Sequence, residues 1–314
     1  MQPQITQLPH YAAPTLRISP LSGYQQHPWP CNQRERPSVV LIAAAKRALV
    51  TQELKRLEPV IAAVADIAAV DLNFEYDFTG TDHDLVIVLG GDGSILQAAR
   101  QMEEHQLPVL GVNCGQLGFL AALSPDAFLE AWPSVCRGGF AVVEHLMLRT
   151  LLFRDGEEID HQLSLNETAI LGGPPYNILN IDMYVDNLLA TTYRCDGLII
   201  STPVGSTAHN LSAGGPILRK DLQAIVVSPI SPHTLTYRSV IDSADRVFDL
   251  TVTNPNESTS VVIDGRVMGK VLPGDRIRIR RSSEAFKMVA VPGQNDYRTL
   301  RDKLNWGGHT LPNM

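Results

Sequence analysis

The stretch LVIVLGGDGSIL, residues 85–96, indicates the fold of the first half of the chain. Its unbroken apolar run at 85–89 predicts a buried strand, and the apolar spacing from residue 95 to residue 102 predicts a helix. The three glycines around one aspartate between them predict a tight turn. A strand, a turn and a helix N-terminus in this order present backbone N–H groups to an anion, usually a phosphate.

Asp92 distinguishes this turn from the common phosphate-binding loops. A P-loop requires a lysine followed by serine or threonine, and the dinucleotide fingerprint requires a glycine where Leu96 stands. A carboxylate inside a phosphate cradle repels phosphate, so it is useful there if it holds a metal ion or takes a proton from an attacking hydroxyl. The alternative is that Asp92 only caps the helix N-terminus.

Composition and charge exclude several classes of protein. The 314 residues suffice for two domains of ~100–200 residues each, and the 44% hydrophobic content supports a sizeable core. A net charge of −7 without a long basic run argues against nucleic acid as the main partner. No stretch approaches the ~20 apolar residues that span a membrane, and residues 1–30 show no secretory signal. The four cysteines form no C-x-x-C pair, which indicates reduced thiols in a cytoplasmic protein.

The patterning divides the chain into four parts. Residues 1–37, rich in Pro, Gln and His, predict an irregular extension. Residues 38–139 predict an α/β domain with a Rossmann-like parallel sheet. Its predicted strands are 39–45, 68–72, 85–89 and 108–112, and its predicted helices are 46–67 and 94–105. Because ligands bind beyond the carboxyl ends of such strands, the Gly-Asp turn and residues 113–118 are expected to share one crevice.

The second half of the chain predicts a different architecture. Residues 140–291 contain short β-like runs separated by turn residues, which predict a β-rich, sandwich-like and mostly antiparallel domain. Examples of these runs are 146–153, 162–170, 181–185, 197–201, 224–228, 248–253, 259–263 and 276–280. Residues 292–314 form a C-terminal segment with helical spacing at 297–306. Since one short helix is not stable alone, it is expected to pack back on the first domain.

Two further stretches contain groups that suit a ligand. Residues 196–216, DGLIISTPVGSTAHNLSAGGP, combine hydroxyl side chains with glycines that let a flat ligand approach the backbone. Ser206 and Thr207 are predicted to cap a short helix facing an anion, although an exposed Ser/Gly loop would have the same composition. The pair Asn166-Glu167 offers an amide and a carboxylate for ribose hydroxyls or an amino group, although a surface turn would look the same. No G-x-S-x-G elbow is present, which argues against a serine hydrolase.

Taken together, these blocks resemble the bacterial ATP-NAD kinase family. They are GGDGS at 90–94, LGFL at 117–120, Asn166-Glu167, residues 196–218, SPISPHTL at 228–235 and YRTLRDKLNW at 297–306. The resemblance covers residues 38–306 and implies an α/β domain and a β-rich domain with the active site between them. It implies transfer of the γ-phosphoryl of ATP to the adenosine 2′-hydroxyl of NAD, giving NADP, with Mg²⁺. It also implies a homodimer or homotetramer whose site is completed by a neighbouring subunit.

The same resemblance assigns roles to residues of this chain. Asp92 is expected to be the catalytic general base, and Gly90, Gly91 and Gly93 to let the phosphates come close. The expected contacts to the dinucleotide are Asn166, Glu167, Arg194, Asp196, Thr207, Ala208, His209, Asn210, Leu211 and Ser212. No residue is assigned as a metal ligand.

Four positions depart from the family pattern. Ser94 stands where threonine is more frequent, Val204 stands where threonine or serine is usual, and Arg266 stands where glutamine is frequent. His209 replaces a tyrosine, and imidazole offers less stacking area and gains charge below about pH 6.5. We therefore expect weaker or pH-sensitive dinucleotide binding. The alternatives are a related lipid or sugar kinase with a GGDG-like turn and a non-catalytic NAD-binding sensor.

Overall fold

A computed structural model describes residues 36–116, 118–121, 123–293 and 296–305. The predicted extension at 1–37 therefore lies almost wholly outside the described residues. None of the helices in the described part is long and apolar enough to cross a membrane.

The first part of the described chain alternates strands and helices, as predicted. Its elements are β1 Ser38–Ala43, α1 Ala48–Ala62, β2 Asp66–Asp71, β3 Leu85–Gly90, α2 Asp92–Met102, β4 Val109–Asn113 and α3 Pro125–Val135. The strands pair in parallel in the order β2-β1-β3-β4. Strands β1, β3 and β4 are buried along their whole length because α1 and α3 cover one face and α2 the other.

The helices of this part differ from the prediction at their ends. Helix α1 ends at Ala62 rather than at residue 67, and β2 already begins at Asp66. Helix α2 begins at Asp92, two residues early, because Gly91 is its N-cap. Helix α3 was not predicted, although Ser124 caps it by accepting the Ala127 N–H at 3.1 Å and a proline stands at its first position.

The second part is dominated by strands. They are β5 Ala141–Arg154, β6 Glu157–Ser164, β7 Glu167–Leu171, β8 Leu179–Val185, β9 Leu188–Cys195, β10 Gly197–Ser201, β11 Ala224–Ile230, β12 Val240–Ser243, β13 Phe248–Val252, β14 Ser260–Ile263, β15 Arg266–Lys270 and β16 Arg276–Ala290. A 3-10 turn at Gly205–Thr207, helix α4 at His209–Ser212 and helix α5 at Asp296–Leu304 complete the described elements. The single run predicted at 162–170 is divided between β6 and β7.

Two sheets pack face to face in this second part. One has the order β12-β11-β10-β7-β14-β15 and is antiparallel. The other contains β5, β16, β13, β8 and β9, and the buried side chains between the sheets include Leu148, Leu198, Phe248 and Ile277. This packing confirms the predicted fold class, an α/β region followed by a β-sandwich-like region.

Strand β16 connects the two regions within one sheet. One of its edges pairs with β5, from Arg276 opposite Phe153 to Ala290 opposite Ala141. The other edge pairs first with β13 and then, in parallel, with β4 at Met288. The boundary predicted near residue 140 falls between α3 and β5, but the hydrogen-bonded sheet continues across it. The two regions are therefore joined by one continuous sheet.

Candidate active site

A cavity of about 350 Å³ lies at the carboxyl ends of β1, β3 and β4. Its lining includes the Gly-Asp turn after β3, residues 113–116 after β4, and two cationic side chains, Arg47 before α1 and Lys303 from α5. The two turns that the sequence analysis assigned to one crevice thus meet there.

The Asp92 carboxylate is held by three backbone N–H groups. Its Oδ2 accepts from Phe119 at 2.7 Å, and its Oδ1 accepts from Leu120 at 2.9 Å and from Ala121 at 3.0 Å. Asp92 is the first residue of α2 and no side chain caps this helix, so the capping alternative is wrong. Because a carboxylate has about four acceptor positions, about one remains, and it belongs to Oδ2.

The loop that holds Asp92 is itself fixed from two sides. Asn113, buried at the end of β4, donates from Nδ2 to the carbonyls of Gln116 at 2.8 Å and Ala121 at 3.1 Å. Its Oδ1 accepts the Gly115 N–H at 2.9 Å. Lys220, which follows the Ser/Gly segment in the chain, donates to the Phe119 carbonyl at 2.8 Å. The orientation of the carboxylate is therefore set by both regions of the fold.

The glycines around Asp92 divide into two kinds. A Cβ at Gly118 would lie 2.0 Å from Asp92 Oδ1, and one at Gly90 would lie 2.1 Å from Ser94 Oγ, so the protein itself requires these two glycines. A Cβ at Gly91 or Gly93 would meet no protein atom within 4 Å. The open space in front of Gly91 and Gly93 is available to a ligand that approaches the backbone closely.

The backbone at Asn166-Glu167 is fixed by a second carboxylate. Asp264 accepts N–H bonds from Leu165 at 2.9 Å, Asn166 at 2.8 Å and Glu167 at 3.0 Å. The Leu165 side chain shares a buried cluster with Leu120 of the Asp92 loop and with α2. The Asn-Glu pair is thereby placed beside the Asp92 loop.

Glu167 is almost fully buried, with 6% of its surface exposed. Burial, and then the neighbouring charge of Asp264, raise its pKa to about 8, against one N–H bond from His209. Burial also raises the pKa of Asp264, but three N–H bonds and the charge of Arg100 oppose that rise. Glu167 is therefore the member of the pair that takes the proton. Its Oε2 is buried and has no hydrogen-bond partner within the described residues.

This proton makes stability depend on pH. Between 4.5, the ordinary pKa, and about 8, the folded protein keeps a proton that the unfolded chain has released. Stability therefore falls as the pH rises through this window. Relative to Glu167→Gln, wild-type protein should lose about 4 kcal/mol of unfolding free energy between pH 5 and pH 8.5, measured by urea denaturation. If the difference in unfolding free energy between wild type and Glu167→Gln stayed constant with pH, Glu167 would not be protonated in the folded protein.

The Ser/Gly segment packs tightly against the Asn-Glu pair. A Cβ at Gly205 would lie 2.0 Å from the Asn166 carbonyl oxygen, and Thr202 Oγ1 donates to the Leu165 carbonyl at 2.6 Å. The predicted capping by Ser206 and Thr207 is wrong. Their hydroxyls donate to the carbonyls of Pro203 and Val204, while α4 begins after Ala208 without a side-chain cap.

Residues 207–212 lie beside Glu167, but they differ from one another in burial and in hydrogen bonding. The His209 N–H donates to the carboxyl group of Glu167. Asn210 is fully buried: its Nδ2 donates to the carbonyls of Ser206 and Pro216, and its Oδ1 accepts from Ser228. Thr207, Ala208, His209 and Leu211 are half-buried and Ser212 is exposed. Asn210 thus holds the segment in place, and its neighbours are available for contact.

Arg194 and Asp196 lie away from this group. Glu167 stands opposite Ser201 at one end of β10, whereas Asp196 precedes Gly197 at the other end. Five strand residues separate the two ends by roughly 15 Å. Both side chains are exposed, and Asp196 Oδ1 lies 3.8 Å from His233 Nε2.

Sequence reasoning missed several residues of this site. Gly118 belongs to the LGFL block, and the collision with Asp92 that explains it is visible only in three dimensions. Asp264 precedes Gly265 in what looks like an ordinary turn, Arg47 carried no local signal, and Lys303 lies in the YRTLRDKLNW block without an assigned role. Within the described residues, no group of three His, Cys, Asp or Glu side chains is arranged to hold a metal ion.

Comparisons with known proteins agree with this geometry. The family models described as ATP-NAD kinase N-terminal and C-terminal domains match residues 50–140 and 165–291. The chain is 61% identical over 278 residues to the NAD kinase of Rhodopirellula baltica, covering 88% of this chain and 89% of that protein. It is 41% identical over 224 residues to the NAD kinase of Geotalea daltonii, covering 71% and 79%.

Two solved structures are similar in fold. A yeast NADH kinase complexed with NADH superposes with a TM-score of 0.74 at 20% identity, covering 90% of this chain and 91% of that one. An NAD kinase from Archaeoglobus fulgidus in complex with ATP superposes with a TM-score of 0.66 at 25% identity, covering 85% and 98%.

Proposed function

The chain belongs to the ATP-NAD kinase family and phosphorylates NAD with ATP, and we propose that Asp92 is the general base of this reaction. The observation that carries the proposal is the Asp92 carboxylate, fixed by three N–H groups beside the cavity with one acceptor position left on Oδ2. Because NAD kinase family models match both domains, a lipid or sugar kinase is the weaker alternative. The presence of Asp92 argues against a non-catalytic sensor.

In this mechanism the 2′-oxygen of NAD forms a bond to the γ-phosphorus of ATP, and the bond from that phosphorus to the bridging oxygen breaks. ADP leaves, and the proton of the 2′-hydroxyl passes to Asp92 Oδ2. Because the transition state of phosphoryl transfer is loose, the protein contributes mainly by positioning the two substrates. The rigid support of Asp92 suits that requirement.

The open side of the Gly-Asp turn is proposed to receive the donor phosphates. Gly91 and Gly93 leave space that the fold itself does not use, and Gly90 brings Ser94 against the turn. Mg²⁺ bound to the phosphates would neutralise part of their charge. The site fits a metal held by the substrate phosphates and by water, because Mg²⁺ usually keeps several waters and is rarely bound by a cage of protein ligands alone.

The dinucleotide is proposed to bind between Asn166-Glu167 and residues 207–212. Glu167 offers a buried oxygen without a partner, and the half-buried Thr207, Ala208, His209 and Leu211 lie beside it. Asn210 contributes by holding this segment. Weaker or pH-sensitive binding because of His209 stays a prediction.

We further propose a homodimer or homotetramer. Arg194 and Asp196 are exposed roughly 15 Å from Glu167, so they reach a bound dinucleotide best in the site of a neighbouring subunit. A cytoplasmic location is also proposed. Its support is that Cys114, Cys136 and Cys195 form no disulfide, and that burial raises the pKa of each thiol to about 11.

A coupled assay tests the activity and its metal requirement together. Purified protein with ATP, Mg²⁺ and NAD should form NADP, detected with an NADP-specific dehydrogenase. Excess EDTA should lower the rate at least about a hundredfold, and added Mg²⁺ should restore it, because the triphosphate charge is otherwise not neutralised. Absence of NADP would refute the activity, and full activity in EDTA would refute the metal.

A further inference from the structure

Two cationic side chains line the cavity beside Asp92 and have no part in the mechanism above. Arg47 is the N-cap residue of α1 and follows β1 at the carboxyl edge of the parallel sheet. Lys303 comes from the last turn of α5, more than 200 residues further along the chain. Both are exposed. The fold therefore brings two positive charges from separate elements to one cavity.

Lys303 has an unusual environment for a lysine. Its Nζ lies 5.6 Å from the centre of the Phe119 ring, within the range of a cation–π contact. Among the described residues no carboxylate pairs with it, whereas its neighbour Arg301 lies 3.7 Å from Asp302. A contact with an aromatic ring does not neutralise an ammonium group, so the positive charge can still attract an anionic ligand.

Phe119 connects this ammonium group to the base. Its N–H donates to Asp92 Oδ2 at 2.7 Å, its carbonyl accepts from Lys220 at 2.8 Å, and its ring lies under Lys303. The residue that positions the Asp92 carboxylate therefore also positions a cation beside the cavity. A phosphate chain in contact with Lys303 would lie close to the Gly-Asp turn.

The charge of the cavity favours a polyanion. Arg47 and Lys303 outweigh the single carboxylate of Asp92 among the lining side chains. Helices α1 and α2 both begin at this cavity without a side-chain cap, so their first N–H groups add to the positive potential. Among the lining residues that the structure describes, no aromatic side chain could stack on a base. The lining thus suits phosphates better than a nucleoside.

We propose that Arg47 and Lys303 bind the phosphate chain of the nucleoside triphosphate donor, so that the C-terminal helix α5 forms part of the donor site. The proposal rests on the proposed function for the position of the donor beside Asp92. Lys303 contributes a point charge, and the guanidinium of Arg47 can contact two phosphate oxygens at once.

The test compares four single variants. Lys303→Met and Arg47→Met remove the proposed contacts, while Arg301→Met on α5 and Lys46→Met beside Arg47 remove nearby exposed charges that do not line the cavity. The KM for ATP should rise about tenfold in the first two, with the KM for NAD within about twofold of wild type. Binding of ATP and of inorganic tripolyphosphate, measured by calorimetry without turnover, should weaken by the same factor. Lys303→Arg should retain most of the affinity.

Several outcomes would overturn the proposal. Unchanged ATP and tripolyphosphate binding in Lys303→Met or Arg47→Met would do so, and so would equal losses in all four variants, which would indicate only general surface charge. Weaker ATP binding with normal tripolyphosphate binding would place the contact on the nucleoside and also refute it. If wild-type protein makes no NADP while Lys303→Met and Arg47→Met still weaken both ligands, the proposed function fails and the donor contacts stand.

Discussion

Replacing Asp92 by asparagine is expected to lower kcat about a thousandfold, because an amide takes no proton from the 2′-hydroxyl. The variant should still bind ATP and NAD, because their proposed contacts lie on the glycines, the cations and the Asn-Glu pair. In this variant an NH₂ group replaces one of the two carboxylate oxygens that accept the N–H groups of residues 119–121. Because two donors cannot form a hydrogen bond with each other, at least one of these bonds is lost and the loop loosens. Steady-state kinetics and calorimetric binding measure the two effects separately.

Asn113→Ala is the matched control for that loosening. It removes the hydrogen bonds to residues 115, 116 and 121 and so loosens the loop, but position 92 still carries a carboxylate. We expect a loss of about 1–3 kcal/mol of stability and a fall in kcat far smaller than that of Asp92→Asn. Comparable kcat losses in the two variants would mean that Asp92 acts as a support for the loop and not as a base.

Gly118→Ala should disable the same carboxylate without changing its chemistry. The added Cβ would lie 2.0 Å from Asp92 Oδ1 and 2.7 Å from its Cγ, so the carboxylate or the loop has to move. Because a displacement of about 1 Å in a reacting group costs about a hundredfold in rate, we expect kcat to fall by at least that factor. The melting temperature should also fall, since hydrogen bonds to Asp92 are strained.

Gly115→Ala is the control from the same loop and the same cavity lining. Its Cβ would meet only Asn113 Oδ1, at an ordinary 3.8 Å. Its kcat should stay within about threefold of wild type, because no atom has to move. If Gly118→Ala were as active as Gly115→Ala, the observed position of the Asp92 carboxylate would not be the active one.

The sequence predicted the elements whose burial is strong and regular. Strands β1, β3 and β4 are buried throughout, and their apolar runs indicate a covered parallel sheet. Strands β9, β12 and β15 were not predicted because they are sheet edges with mostly exposed side chains, which leaves no apolar alternation to detect.

The site was predictable where chemistry is local and not where it depends on distant contacts. Asp92 stood out because a carboxylate among phosphate-binding glycines requires an explanation. Its hydrogen-bond donors lie 27 to 29 residues further on, and those of Asp264 lie nearly 100 residues back, so no local pattern shows either arrangement. The separation of Arg194 and Asp196 from Glu167 follows from strand register, which composition does not determine.

The position of β16 also has a consequence for synthesis of the chain on the ribosome. The parallel strands end at β4, and the strand that covers this edge, Arg276–Ala290, is the last strand in the described part of the chain. Until those residues emerge, a nascent chain that has completed α3 exposes the open hydrogen-bonding edge of β4, a surface that promotes aggregation. Folding of the first half therefore finishes only when nearly the whole chain has been translated.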